Sequence, residues 1–268
     1  MQPIKISLIG YGTIAKDVLS GLPQLGEQAT QWAVLLRADS PSIRDVPEGI
    51  KVFTKVTELL QWSPCLVVET AGQSAVSTHV PDLLRAGVSV VVTSVGALAD
   101  QPTYDAVRAA ARTGGSRVIV PSGAVASLDY IGALSVEPQA QVTYESRKPP
   151  GAWRQELVDA GYDPDRLSDE VTLFEGNAQQ AALRYPKNLN VAATIALAGL
   201  GMERTHVRVV VDPAAKGNQH RIDVRSPFGT LSTMQTNAPS PGNPKTSWIV
   251  AQSVIRSIER QFAEILIG

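Results

Sequence analysis

The sequence predicts two α/β units in tandem: a parallel sheet wound with helices on both faces, then a smaller α+β domain built on a mixed or antiparallel sheet. Three observations lead there. Over residues 1–121, short β-branched runs alternate with helix-period segments, the pattern of parallel strands joined by helical crossovers. A glycine-rich turn, Gly10-Tyr11-Gly12-Thr13-Ile14-Ala15, follows the first of those runs. Beyond residue 122 the texture changes to longer runs of alternating polar and apolar residues, as expected of strands with one solvated face.

IKISLIG reads as the first strand, and residues 13–22 as a helix with Ile14, Val18 and Leu22 on one face, stopped by Pro23. WAVLLR is the second strand. CLVVET reads as a buried strand that includes Cys65. It is followed by a helix over residues 74–85 closed by Gly87, the strand VSVVVTS, a helix over residues 103–112 closed by Gly114 and Gly115, and the strand RVIVPSG. In the second domain the alternating runs are QVTYESRK, EVTLFEG, THVRVVVDP and HRIDVRSPFGTLSTMQTN. Two helices are expected among them, residues 127–134 and the Ala-rich, apolar residues 188–200. The last segment follows a Pro/Gly/Asn cluster, with Trp248, Val250, Val254, Ile255, Ile258 and Phe262 at helical spacing as far as Ile267. The expected division is therefore residues 1–121, completed by a C-terminal helix over 243–268, and residues 122–242 as a substrate, catalytic and oligomerisation domain.

Composition narrows the partners. The chain has 268 residues, with 24 Lys and Arg against 25 Asp and Glu, a net charge of -1. Its pI is near 6.3 and its mean hydropathy +0.01. Such a chain lacks the basic footprint that nucleic acid or an anionic membrane surface attracts, which leaves a small molecule as the expected ligand. No run approaches the roughly 20 apolar residues of a membrane span, and no secretory signal is read at the N-terminus. The single cysteine cannot form an internal disulfide, and a reducing cytoplasm is expected.

In the glycine loop each position has a physical task. Gly10 lets the chain turn sharply out of the strand, Gly12 carries no Cβ to hold a pyrophosphate away, and Ala15 lets the helix lie close to the sheet. The amides of Thr13 and Ile14 then face the phosphates at the positive end of the helix dipole. A dinucleotide is thus expected on a Rossmann-type sheet. Ala71 and Gly72, after CLVVET, lie at the same carboxyl edge, and Ser94, Val95 and Gly96 either share it or form a buried turn. At the end of the second strand, where an acid usually holds the adenosine ribose, stands Arg37. A guanidinium there binds a 2′-phosphate or stacks on adenine, admitting NADP alongside NAD; the alternative is an exposed strand end without a cofactor role.

The glycine loop, PSGAVASLD from Pro121, YPKNLNVAAT from Tyr185, GNQHRIDV from Gly217 and NPKTSWIVAQSVIRSI from Asn243 occur in that order, and together they make the chain resemble the L-aspartate dehydrogenases over essentially its whole length. The resemblance implies NAD- or NADP-dependent oxidative deamination of L-aspartate, through iminoaspartate to oxaloacetate and ammonia, with a link to NAD biosynthesis. It also implies cofactor contacts from Ala124 and Asn190 and an active-site role for His220. A homodimer is expected.

On their own, these residues leave alternatives open. A lone strand histidine such as His220 is often a satisfied structural group, though an imidazole with pKa near 6.5 suits proton transfer at neutral pH. Asn190 either caps a helix or reaches the nicotinamide, with one of Asn188 and Asn190 free for each task. Lys187 and Lys245, each expected to precede a helix, and Thr246 and Ser247 are candidates for the substrate carboxylates; solvated surface groups are the alternative. Ser127 reads as a helix cap, His79 and His206 as structural. With no Cys, Asp or Glu at ligand spacing, no metal is expected. The rivals are another NAD(P)-dependent reductase of an amino-acid-derived substrate, resembling homoserine dehydrogenase or dihydrodipicolinate reductase, and a dinucleotide sensor without turnover.

Overall fold

The structure, a computed structural model, describes residues 3–22, 25, 30–186 and 188–267, apart from the side chains of residues 244 and 245. It divides into two compact units, residues 1–123 with 251–268, and residues 124–250.

The first unit runs β1 (Ile4–Ile9), α1 (Thr13–Gly21), β2 (Thr30–Leu35), β3 (Lys51–Phe53), α2 (Val56–Trp62), β4 (Leu66–Glu69), α3 (Gln73–Arg85), β5 (Ser89–Val92), α4 (Gln101–Gly114) and β6 (Val118–Ile119). The strands form a sheet in the order β3-β2-β1-β4-β5-β6, and every pairing is parallel. Because β2 and β3 lie to one side of β1 and β4 to the other, the crossovers change direction between β1 and β4. The carboxyl ends of those two strands therefore border a crevice, the usual ligand position in such sheets. The apolar runs are buried on both faces: Ile6, Leu8, Val34, Leu66, Val68 and Val91 share a core with Ala15 and Val18 of α1. Each such side chain contributes roughly 1.5–3 kcal/mol on burial. Cys65 departs from its expected place, since it precedes β4 and is exposed.

The second unit contains α5 (Leu128–Ala133), β7 (Gln141–Lys148), α6 (Arg154–Asp159), β8 (Val171–Asn177), α7 (Ala178–Arg184), α8 (Asn190–Ala198), β9 (Thr205–Val211), β10 (Asn218–Ser226), β11 (Gly229–Asn237), β12 (Pro239–Ser240) and β13 (Asn243–Ser247). Its five-stranded sheet has the order β11-β10-β7-β9-β8 and is mixed, since β7 and β9 run parallel while the other neighbours are antiparallel. The two-residue period holds closely. Val142, Tyr144, Ser146 and Lys148 of β7 and Asn218, His220, Ile222 and Val224 of β10 are buried. On the other face Arg147 pairs with Glu145, Glu170 and Asp212. The buried face packs against Ile131, Leu157, Ala181, Ile195 and Trp153.

The chain ends with α9 (Ile249–Glu259), whose Ala251, Val254, Ile255 and Ile258 join the core of the first unit. The expected terminal helix over 243–268 is thus shortened at both ends. NPKTS pairs as β13 with β12 instead of starting a helix, Trp248 is half exposed, and Phe262 lies beyond the last turn. Two prolines and a glycine in SPGNPK explain the start, because they suit a tight turn between short strands and no helical first turn.

Candidate active site

In the first unit one carboxylate fixes two turns at the carboxyl edge of the sheet. Glu69, the last residue of β4, is fully buried. Its oxygens accept from the amides of Ala71 (2.8 Å), Gly72 (2.7 Å) and Ser94 (3.0 Å) and from Ser94 Oγ (2.9 Å), fixing the turns after β4 and β5. Burial pushes its pKa up while those donors pull the other way. Gly10 donates to Leu35 O at 3.0 Å, and a Cβ on Gly10 would stand 2.8 Å from Ala71 Cβ, so glycine is required there by the protein itself.

Gly12 differs. Its φ of -89° suits any residue, and a Cβ would meet nothing within 4 Å. Gly72 likewise faces open space. Both residues sit at helix N-caps that have no side-chain cap, Gly12 before α1 and Gly72 before α3, so the first turn of α1 presents its amides to an outside acceptor. A cradle that a Cβ would fill, lined by uncapped amides that include Thr13 and Ile14, fits a pyrophosphate. Arg37 lies just past β2 with its side chain 82% exposed, 3.8 Å from Asp39.

In the second unit the polar residues of the inward sheet face gather at one end. His220, 2% exposed, lies opposite Ser146 of β7 and Gln235 of β11. Its Nδ1 is 2.8 Å from Tyr144 Oη, with the two rings stacked. Burial raises the Tyr144 pKa, so the phenol keeps its proton. Burial, and then the nearby Lys148 ammonium, push the His220 pKa down to about 3. Lys148 is itself buried, with Nζ over the Trp153 ring. His220 Nε2, Gln235 Oε1 and Thr233 Oγ1 are buried without a hydrogen-bond partner among the described residues. Buried polar atoms are normally paired, so a cluster of orphans marks a place for a ligand. A separate cavity of about 420 Å³ in this unit, bordered by Glu156, Arg184, Tyr185 and Asn188, contains none of these residues.

The other expected residues are placed as follows. Ser247 is buried and its Oγ accepts from Asn218 Nδ2 at 3.3 Å, which links β13 to the strand that bears His220. Thr246 Oγ1 accepts from Asn243 at 3.1 Å. Lys187 and the Lys245 side chain lie outside the described residues, and Lys245 belongs to a strand instead of preceding a helix. Ala124 is buried and its carbonyl accepts from Asn237 at 2.8 Å. Asn190 opens α8, but the cap position is Leu189, and Asn188 donates to Glu156 instead, so neither asparagine caps. Ser127 occupies the cap of α5 in a left-handed conformation without a side-chain cap bond. His206 pairs with Glu175, and His79 is half-buried on α3. Among the described residues no group of three or more His, Cys, Asp or Glu is placed to hold a metal, and no helix is long and apolar enough to cross a membrane.

Sequence reasoning missed Glu69, Tyr144, Lys148 and Gln235. Signals for three of them were present: an acid ending the apolar run CLVVET, and Tyr144 and Lys148 at same-face positions of QVTYESRK.

Comparison with known proteins agrees with this geometry. Residues 129–261 match the family described as aspartate dehydrogenase, C-terminal, and residues 10–121 the homoserine dehydrogenase NAD-binding domain. The chain is 52% identical to L-aspartate dehydrogenase 2 of Bordetella bronchiseptica over 98% of its own length and 99% of that protein. It is 37% identical to the L-aspartate dehydrogenase of Methanosarcina mazei over 99% of each. The crystal structure of aspartate dehydrogenase from Thermotoga maritima has the same fold, with a TM-score of 0.74, 24% identity and full coverage of both chains. A glycine cradle on a parallel sheet and a buried histidine on a mixed one thus sit in a sequence matched end to end: the chain belongs to the aspartate dehydrogenase family and carries an NAD-binding domain.

Proposed function

We propose that the chain oxidises L-aspartate with NAD or NADP, giving iminoaspartate and, after addition of water, oxaloacetate and ammonia. The observation that carries this reading is His220, a neutral buried imidazole with Nε2 unpaired among the described residues, flanked by a buried cation and by a half-buried glutamine whose amide oxygen is buried. When bound, the nicotinamide supplies the acceptor for the hydride that leaves Cα. Gly10, Gly12, Thr13, Ile14, Ala71 and Gly72 would hold its dinucleotide, with Arg37 at the adenosine end and Ala124 and Asn190 as the contacts implied by family resemblance.

His220 does the proton work. With Nδ1–H donating to Tyr144 Oη, the Nε2 lone pair is left to act as base. It removes a proton from the substrate ammonium, so that the neutral amine's lone pair can expel hydride from Cα. After that proton passes to solvent, the neutral imidazole takes a proton from the water that attacks the imine carbon and returns it to the departing nitrogen. General base catalysis of this kind is worth about 10²–10⁴-fold. Iminoaspartate released before hydrolysis ties the reaction to NAD biosynthesis. A cytoplasmic homodimer belongs to the same reading.

The test is absorbance at the reduced-nicotinamide band with purified protein, L-aspartate, and NAD or NADP in parallel, against other amino acids. Aspartate-dependent reduction is expected. Cofactor binding with turnover of another amino acid, or of none, overturns the reading in favour of a different reductase or a sensor.

A further inference from the structure

The two strands beside His220 each place a polar side chain next to it, and the proton chemistry above uses neither. We infer that Lys148 and Gln235 select the substrate as an amino dicarboxylate: Lys148 pairs with the side-chain carboxylate, and Gln235 Oε1 accepts from the amine. The inference rests on the aspartate reading and adds the residues that set its substrate class.

Lys148 ends β7 on the inward face, two residues beyond Ser146, which pairs in register with His220. It is 4% exposed, its stem lies in the core beside Trp153, and its charge reaches the His220 ring. From that position the ammonium can give a carboxylate a charge-assisted hydrogen bond. Gln235 lies across β10 on β11, directly opposite His220, with Oε1 buried and without a partner among the described residues. An acceptor in that state calls for an N–H or O–H donor, which a substrate amine provides. β7 and β11 flank β10 on opposite sides, about 9–10 Å apart. Lys148 and Gln235 therefore come from opposite sides of β10, which assigns the side-chain carboxylate, the carboxylate farther from the amine, to Lys148.

The arrangement also couples recognition to chemistry. A carboxylate beside Lys148 offsets the ammonium charge, which after burial is the second influence lowering the His220 basicity, and so raises that basicity in part when a dicarboxylate is bound. Among the described residues Tyr144, on the same strand as Lys148, is the other titratable group against the ring, and it stays protonated.

The test is calorimetric binding with reduced cofactor present, so that no turnover occurs, using succinate, butyrate and L-aspartate as probes. Wild type is expected to bind succinate at least about tenfold more tightly than butyrate. Lys148→Met should weaken succinate by about 30-fold or more, with Lys148→Arg restoring most of it. Gln235→Leu should weaken L-aspartate about tenfold and leave succinate within about threefold. A wild type that does not distinguish succinate from butyrate, or a folded Lys148→Met protein that binds succinate fully, overturns the inference for Lys148. An unchanged aspartate-to-succinate ratio in Gln235→Leu overturns it for Gln235. If the enzyme turns over a different amino acid the functional reading falls, whereas the succinate comparison, made without turnover, still decides Lys148.

Discussion

Glu69 and His220 are both ionisable, both buried and both at strand positions facing a core, yet the chain treats them in opposite ways. Glu69 receives three backbone amides and a hydroxyl, and its bonding is complete within the first unit. His220 has one nitrogen bonded to Tyr144 and the other without a partner among the described residues. Nor is it alone: Thr233, Gln235 and Ser240 of the same unit also carry orphaned buried oxygens, while the first unit contributes Trp32 Nε1. A satisfied buried network rigidifies a scaffold, whereas an unsatisfied one is costly unless something else completes it. The first unit thus spends its buried polarity on holding two turns in shape, and on the function proposed above the second reserves part of it for a substrate.

Reciprocal substitutions should produce the largest effects and would break the comparison if they failed to differ. Glu69→Leu strands four donors and should destabilise the protein by about 3–5 kcal/mol, read by denaturant unfolding. His220→Ala strands only the Tyr144 hydroxyl. It should lower kcat by about 10²–10⁴-fold while Tm and cofactor binding stay close to wild type. If His220→Ala unfolds as readily as Glu69→Leu, His220 is a structural group and the contrast disappears.

How far the sequence disclosed this contrast depended on the range of the interaction involved. The glycine loop is local: strand, turn and helix lie within a dozen residues, and each glycine's task follows from sterics. The doubly wound order was legible because long apolar runs at crossover spacing permit few other arrangements. β3 and α2 were not anticipated, since three mostly exposed residues and a helix burying only Leu59 and Trp62 leave little periodic signal. The surroundings of His220 are nonlocal. Tyr144 is 76 positions away and reaches it through register between β7 and β10, which no one-dimensional pattern specifies.

Within the first unit, the comparison sharpens at two glycines only two residues apart. Gly10→Ala places a methyl 2.8 Å from Ala71 Cβ at a φ of +89°, so about 2–3 kcal/mol of stability should be lost. Gly12→Ala meets no protein atom, so stability should change by less than about 1 kcal/mol while dinucleotide affinity falls at least about tenfold. Chemical denaturation and cofactor titration separate the two. Equal losses of stability would mean that the space over Gly12 is filled by the protein in solution.

Acid titration separates the units by sign. The His220 pKa is about 3 when folded and near 6.5 when unfolded, so between these values the unfolded chain binds more protons. Stability from this site is therefore lost as pH falls from 6.5 toward 3, by about 2 kcal/mol at pH 5. Glu69, its folded pKa raised, acts the other way and favours the folded state as pH falls. His220→Gln should flatten the decline between pH 7 and 5 relative to wild type, measured by urea unfolding at each pH. An unchanged slope would show that the imidazole is already solvated before unfolding.

The smallest effect is expected at Arg37, where neither kind of buried polarity applies. Its side chain and that of Asp39 are both more than four-fifths exposed and 3.8 Å apart, and a pair of that kind adds little to stability in water. Arg37→Asp should therefore leave unfolding unchanged. Any consequence must come through the cofactor: the guanidinium can bind a 2′-phosphate, whereas a carboxylate repels it and accepts the ribose hydroxyls. The ratio of kcat/KM for NADP over NAD should fall about threefold to tenfold, and more weakly at high salt because the contact is solvated. An unchanged ratio would leave Arg37 an exposed strand end, with the choice of dinucleotide made elsewhere on the carboxyl edge.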